Sequence, residues 1–211
     1  MPRLAVTLAL LLTPAALTAQ AHPGSQVQVS AGGGFLTSGA YFTGPGALEL
    51  ASGDAFAGLL QVSVRVHRSV ALVVAGAHAR PEWRLTGVPL VGVVGVTGAG
   101  LWFADAAVRG LLPLGGPSVT TPIAFAQAGA GLAHYSLNTT VLGNAVDEDA
   151  MNFALALGAG VVLPFAERFG LEVLAKDYIA SFRSVRDLEQ LGVEGRRAHT
   201  LLLAVSARVG L

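Results

Sequence analysis

His134 and Ser136 are the two residues whose types and spacing come closest to a catalytic pattern. In an extended strand, side chains two positions apart point to the same side, which would bring the imidazole and the hydroxyl together. A histidine can act as a base toward such a hydroxyl, and the pair could then attack an acyl group. The sequence offers no orienting acid, however, and residues two apart are common. The favoured interpretation is a histidine at a strand end beside Tyr135, and we predict that the protein is not an enzyme.

The His134-Tyr135-Ser136 segment resembles the HxS element of the lipid A 3-O-deacylases, a family of small outer-membrane barrels. This resemblance implies an alternative function, in which a lipid A-modifying hydrolase uses His134 and Ser136. Members of that family have Asn after the serine, whereas Leu137 stands here.

No metal or cofactor motif is found in the sequence. The histidines lack the HExxH spacing or a similar one, and they are His22, His67, His78, His134 and His199. The run Asp147-Glu148-Asp149 could hold a divalent cation that bridges lipopolysaccharide phosphates, but a solvated loop is favoured because carboxylates without an ordered frame seldom bind tightly. Gly32-Gly33-Gly34 lacks the Lys-Ser/Thr of a phosphate-binding loop. We therefore predict no metal site and no cofactor.

Composition points to a membrane protein. Of the 211 residues, 53% are hydrophobic and only 12% are charged, and the mean hydropathy is +0.61. The formal charge is zero, with 13 basic and 13 acidic residues, so no basic field would attract nucleic acid. High apolar content excludes disorder, and the absence of cysteine excludes a disulfide framework.

The first 21 residues have the pattern of a secretory signal peptide. Arg3 precedes an uncharged run from Leu4 to Leu17, and small residues follow at Ala19 and Ala21. The run is too short to span a bilayer as a helix, since that takes about 20 residues. We predict cleavage after Ala21, which leaves one domain from His22 to Leu211.

The rest of the chain alternates between apolar and polar residues with the period of β-strands. In Leu201 to Leu211 every odd position is apolar, whereas the even positions include Ser206 and Arg208. The same alternation recurs along the chain, and eight strands are predicted at about 26 to 36, 55 to 67, 70 to 82, 99 to 112, 119 to 136, 151 to 164, 169 to 182 and 198 to 211. The third and fifth have a mixed second face and are assigned mainly because an up-and-down barrel needs them. An even number of strands closes an antiparallel barrel with a lipid-facing and a lumen-facing side.

Three nearly uncharged stretches leave a multi-pass helical membrane protein open as an alternative class: Leu85 to Ala104, Gly110 to Val146 and Met151 to Ala166. Their glycine, proline and valine content lowers helix propensity, and the period of two favours strands.

Connections and aromatic residues follow the pattern of outer-membrane barrels. Short turns alternate with four longer loops, at about 37 to 54, 83 to 98, 137 to 150 and 183 to 197. Aromatic residues lie near the strand ends, where a bilayer favours them, and we expect them at its two interfaces: Phe56, Trp83, Trp102, Tyr135, Phe153 and Tyr178 at the loop ends, with Phe125, Phe165 and Phe169 at the turn ends.

With its signal and eight strands, the chain resembles the small outer-membrane barrel families typified by the OmpA transmembrane domain and OmpX. The resemblance implies an all-β, eight-stranded, up-and-down transmembrane barrel in the bacterial outer membrane. It also implies outer-membrane lipids, lipopolysaccharide and the barrel-assembly machinery as partners, with the partner of the loops unidentified. Such families usually end in Phe, whereas this chain ends in Val209-Gly210-Leu211. A non-enzymatic envelope component, or one that acts through its loops, is the leading function.

Six charged residues fall on the predicted lumen face: Arg65, Asp105, Arg109, Glu172, Lys176 and Arg208. A charge inside a narrow barrel must be paired, hydrogen-bonded or hydrated, so we predict a network that fills the lumen. Glu172 is expected to pair first with Arg208 on the neighbouring strand, within reach of Arg65 or Arg109.

Overall fold

A computed structural model of the chain describes residues 26–44, 48–88, 92–96, 99–116, 118, 120–141, 144–181, 194–195 and 197–211. The predicted signal peptide and the predicted mature terminus at His22 lie outside the described residues. These residues form strands β1 (Val27–Ser38), β2 (Ala40–Gly44), β3 (Leu48–Ser52), β4 (Ala55–His67), β5 (Val70–Ala79), β6 (Trp83–Val88), β7 (Gly92–Val96), β8 (Ala99–Pro113), β9 (Ile123–Val141), β10 (Asn144–Pro164), β11 (Phe169–Ser181), β12 (Glu194–Gly195) and β13 (Arg197–Gly210).

Eight of these strands close into an antiparallel barrel in the order β1-β13-β11-β10-β9-β8-β5-β4. Each strand pairs with the next barrel strand along the chain, and β1 closes the barrel against β13 from Gln28↔Gly210 to Ser38↔Thr200. Both ends of the described barrel meet at the turn end, where the amide of Leu211 donates to the carbonyl of Val27. The predicted eight-stranded up-and-down barrel is confirmed.

The two faces of the barrel wall follow the period-two pattern of the sequence. Along β13, Leu201, Leu203 and Val205 are exposed on the outer surface, whereas Leu202, Ala204 and Ser206 are buried in the lumen. The interior toward the loop end is apolar and tightly filled, with Leu36, Leu101 and Leu202 at its centre. An apolar outside around a partly polar inside is the arrangement that a bilayer requires.

Several strand ends differ from the predicted ones because of proline. Strand β5 ends at Ala79, shortly before Pro81, and β9 begins at Ile123, directly after Pro122. Proline has no amide hydrogen for the ladder, so it is disfavoured inside a paired strand. The helical alternative is wrong for the described residues, since the parts of the three apolar stretches that the structure describes are mainly strands. No helix in the described residues is long and apolar enough to cross a membrane.

Three interior aromatic residues correct the expected interfacial placement. Tyr135, Tyr178 and Phe125 are buried in the lumen, whereas Phe56, Trp102, Phe153, Phe165 and Phe169 are exposed. Parity explains the difference, because Tyr135 and Tyr178 alternate with outward-facing neighbours on β9 and β11. The side chain of Trp83 lies outside the described residues.

The four long connections hold more strand than the sequence analysis predicted. Three of them supply a second antiparallel sheet of five strands, in the order β12-β2-β3-β6-β7. The fourth continues β9 and β10 as a hairpin, so the acidic run 147–149 lies in a strand and not in a loop. The edge of each strand in these connections carries unpaired backbone N–H and C=O groups, and edges that lie close together form hydrogen bonds with one another. We call this second sheet the extramembrane sheet.

Candidate functional site in the barrel interior

An ion pair crosses the lumen between Arg109 on β8 and Glu172 on β11. The guanidinium donates from Nη1 to Glu172 Oε2 at 3.0 Å and from Nη2 to Oε1 at 2.9 Å. This two-point contact is the strongest geometry for an arginine and a carboxylate. The two strands are not neighbours in the barrel, so only a narrow lumen can bring these side chains together.

Neutral polar side chains complete the bonding of this pair. Gln61 Nε2 donates to Glu172 Oε1 at 2.8 Å, and Ser30 Oγ donates to Oε2 at 3.4 Å. Arg109 also donates from Nε to Gln127 Oε1 at 2.9 Å and from Nη2 to Gln61 Oε1 at 3.3 Å. We call these five residues the mid-lumen cluster: Ser30, Gln61, Arg109, Gln127 and Glu172. They come from five different barrel strands, so hydrogen bonds within the cluster connect these strands across the lumen.

The guanidinium plane of Arg109 also lies over an aromatic ring. Its Cζ is 4.0 Å from the centroid of Phe125, which is buried in the lumen beside Gln127. A cation over a ring face is attracted by the ring quadrupole, and the attraction grows when water is excluded. Phe125 therefore supports the charged cluster instead of facing lipid.

A second ion pair lies closer to the loop end. Lys176 Nζ donates to Asp105 at 2.8 Å and 2.6 Å, and the Tyr178 hydroxyl donates to the same carboxylate at 3.1 Å. Phe103 stacks on Tyr178 with ring centroids 4.1 Å apart. We call these four residues the upper cluster: Phe103, Asp105, Lys176 and Tyr178. Lys176 is 0% exposed and Asp105 is 5% exposed, so this charge pair is shielded from bulk water.

Arg65 and Arg208 lie at the turn end, and neither forms an ion pair with a carboxylate among the residues that the structure describes. Arg208 Nη2 donates to Gln28 Oε1, which also accepts from Ser63 Oγ at 3.3 Å. The expected first partner of Glu172 was Arg208, and the structure gives Arg109 instead. Arg208 lies opposite Gly170, closer to the turn end than Glu172, and this offset separates the two side chains.

Sequence reasoning missed the neutral members of the clusters. The period of two also places Ser30 and Gln61 on the lumen face, but it does not indicate their partners. Gln28 and Tyr178 also point inward, and they bond to Arg208 and to Asp105. The signal that could have found them is a polar residue on the lumen face of a strand, because such a group needs a hydrogen-bond partner when it is buried.

The candidate catalytic residues His134 and Ser136 lie on the outer face of β9, on either side of the inward Tyr135. His134 Nε2 is 3.5 Å from Asp149 Oδ1 on β10; the Asp149 side chain is largely in solvent and that of His134 is partly exposed. Within the described part of the chain, no hydrogen bond joins His134 to Ser136. The histidine therefore belongs to a surface contact with an acid, and the structure does not assemble a base and a nucleophile.

Other outward histidines also have neighbours near the loop end. His78 stacks on Trp102 with centroids 4.0 Å apart. Asp177 alternates with the inward Lys176 and Tyr178 and therefore faces outward, where its Oδ2 lies 2.8 Å from His199 Nδ1. Asp177 pairs in regular register with both neighbouring strands, so no β-bulge turns its side chain inward. Its carboxylate stays on the outer face, where it contacts His199.

Comparison with known proteins finds similar structures but no matching sequence family. No protein-family model matches the sequence, and no curated protein matches it at a significant level. Neisserial surface protein A superimposes with a TM-score of 0.60 at 13% identity, covering 89% of this chain and 98% of that one. The outer membrane protein OprG from Pseudomonas aeruginosa superimposes with a TM-score of 0.61 at 9% identity, covering 90% of this chain and 98% of that one.

These similarities show the fold alone, since sequence identities of 13% and 9% are too low to indicate a shared function. The apolar outer surface of the barrel agrees with them, since such a surface is stable only against lipid. The protein therefore has the fold of the small eight-stranded β-barrels of the bacterial outer membrane, and its apolar belt is the surface by which such a barrel sits in that membrane.

Proposed function

We propose that the protein is a non-enzymatic outer-membrane barrel with a closed lumen, which acts at the cell surface through its extramembrane sheet. The observation that carries the proposal is the burial of both ion pairs at two levels of the lumen. Eight strands leave an interior only wide enough for side chains, and here paired charges occupy it. A solute would have to break these pairs to pass.

The extramembrane sheet supports a role at the surface. Three connections share one hydrogen-bonded sheet, so they hold a defined backbone and not three independent loops. Outer-membrane barrels present their long connections to the outside and their short turns to the periplasm. The sheet then faces the exterior, while outer-membrane lipids and lipopolysaccharide surround the belt. Delivery to the membrane by the barrel-assembly machinery is part of the same proposal.

Conductance of the purified protein tests the closed lumen. In a planar lipid bilayer we expect no single-channel steps from the wild-type protein, with an open porin as the positive control in the same membrane. Steps similar to those of the porin would contradict the proposal.

Single cysteines test the surface display, because the natural chain has none. Arg80 follows β5 at the loop end, Ser118 lies in the turn between β8 and β9, and both are exposed. A membrane-impermeant maleimide should label Arg80→Cys on intact cells and label Ser118→Cys only after the outer membrane is opened. Labelling of Ser118→Cys alone on intact cells would reverse the orientation and overturn the proposal.

The hydrolase alternative is tested with lipid A as substrate. We expect purified protein to release no fatty acid from lipid A, and the Ser136→Ala variant to be indistinguishable from wild type. Release that disappears in Ser136→Ala would establish the hydrolase and refute the non-enzymatic role.

A further inference from the structure

The turn end of the barrel contains an open cavity of about 760 Å³. Its rim is formed by the turn between β8 and β9, the turn between β10 and β11, and the end of β13. The inner wall includes Gln28, Arg65 and Arg208. Ligand pockets commonly have volumes of about 300 to 1,000 Å³, so this space can hold a small molecule.

Arg65 and Arg208 bring two positive charges into this cavity, whose lining also includes the acidic residue Glu167 and the last residue, Leu211, with its carboxylate. Glu172, the nearest inward acid along β11, already accepts hydrogen bonds from Arg109, Gln61 and Ser30. At the mouth, Glu167 and Arg168 are both exposed and carry opposite charges, so together they add no net charge. The inner wall therefore carries an excess of positive charge.

Donor groups of both arginines remain unused. Arg208 is only 7% exposed, and its Nη1 has no hydrogen-bond partner among the described residues. The buried Nε of Arg65 also has no partner within that part of the chain. A buried charged donor without an acceptor is costly, and a guanidinium presents its donors in a plane that matches two oxygens of one anion.

We propose that this cavity binds a small oxyanion, a phosphate or carboxylate group, between Arg65 and Arg208. Arg65 on β4 and Arg208 on β13 lie on either side of β1, and their guanidinium groups can donate to different oxygens of the same anion, which removes their mutual repulsion. The cavity is larger than a phosphate ion, so the phosphate or carboxylate group can be part of an organic molecule. The turns and the end of β13 line the cavity, whereas no residue of the mid-lumen cluster does, so the anion enters and leaves by the turn end. The site is independent of the extramembrane sheet.

Binding of inorganic phosphate tests the site directly. The full mature barrel is folded in a nonionic detergent without phospholipid, and phosphate binding is measured by calorimetry, with acetate as a carboxylate probe and chloride as a spherical anion. We expect saturable binding of phosphate or acetate and weaker binding of chloride. Arg208→Gln and Arg65→Gln should each weaken it by about tenfold or more, since a hydrogen bond to a charged group contributes about 1.5 to 3 kcal/mol.

Arg80→Gln is the matched control, because it removes an exposed arginine at the opposite end of the barrel and should leave binding unchanged. If Arg208→Gln does not fold, Arg65→Gln provides the test at the less buried position. Absence of saturable binding of either oxyanion, or equal loss in Arg80→Gln, overturns the site.

A second arm distinguishes the source of the anionic group. The same variants are compared in nanodiscs of phosphatidylglycerol and of neutral phosphatidylcholine. If phosphate affinity in the wild type falls in both nanodiscs relative to the phospholipid-free detergent, headgroup phosphates compete for the cavity and the site binds lipid phosphate. If affinity in phosphatidylcholine equals that in the detergent, the ligand is a free small anion.

Discussion

Glu172 shows how one buried residue organises its surroundings. Its carboxylate accepts from Arg109, Gln61 and Ser30, and it is 1% exposed. The pair with Arg109 thereby joins opposite parts of the barrel wall. Breaking such a pair leaves an uncompensated charge, which is costlier than replacing both partners.

We expect Glu172→Gln to lower the free energy of unfolding in detergent by about 3 to 5 kcal/mol if the lumen is dry, and by less if water enters. Denaturant titration followed by tryptophan fluorescence measures the change. Glu167→Gln is the control, because Glu167 is exposed in a turn and should change stability little. A double-mutant cycle should give strong coupling between Glu172 and Arg109, and a coupling of zero would refute the assigned pair.

At the scale of elements, β13 carries the clearest division between lipid and lumen. We expect Leu203→Arg or Val205→Arg to impair membrane insertion, because an arginine at mid-membrane depth costs about 2 to 4 kcal/mol. Heat-dependent gel mobility of the membrane fraction measures insertion.

Thr37→Arg is the matched control for this prediction. Thr37 lies on the outer face near the loop end of β1, where an arginine can reach the interface. An arginine on the lumen face of β13 is not a suitable control, because Ser206 is buried against Gly32 and the lumen has no room for an arginine there. Equal damage from Thr37→Arg and Leu203→Arg would contradict the assigned depth.

The seam between β1 and β13 depends on glycine. A Cβ added at Gly34 would overlap the carbonyl oxygen of Leu203, whereas one added at Gly58 would meet nothing within 4 Å. We expect Gly34→Ala to reduce unfolding stability by an amount on the order of 1 to 3 kcal/mol, as overpacking does. Gly58→Ala should leave the unfolding midpoint nearly unchanged. If the two variants unfold at the same midpoint, close approach of the backbones at this seam is wrong.

For the molecule as a whole, we predict export before folding in the membrane. We predict that the mature protein begins at His22, because Ala19 and Ala21 stand at the spacing that signal peptidase requires. N-terminal sequencing of protein from the membrane fraction measures this directly. A sequence that still begins at Met1 would contradict the prediction.

The extramembrane sheet shows why part of the fold could not be predicted. Leu48–Ser52 and Trp83–Val88 are strand-forming segments, but they pair with each other and not with a sequence neighbour. Residues far apart in the chain meet here because the barrel brings the ends of their connections together. Loop composition alone contains no information about that meeting.

Some features of this protein follow from the local sequence pattern, and others depend on tertiary contacts. The period of two is a property of each strand by itself, so the sequence alone determined six barrel strands with their lipid faces and the inward direction of Arg109 and Glu172. The third and fifth strands, with a mixed second face, followed only from the need to close the barrel. The choice of Arg109 and not Arg208 as the partner of Glu172 required the structure. Partners across a lumen depend on strand stagger and barrel width, which arise only when all eight strands close.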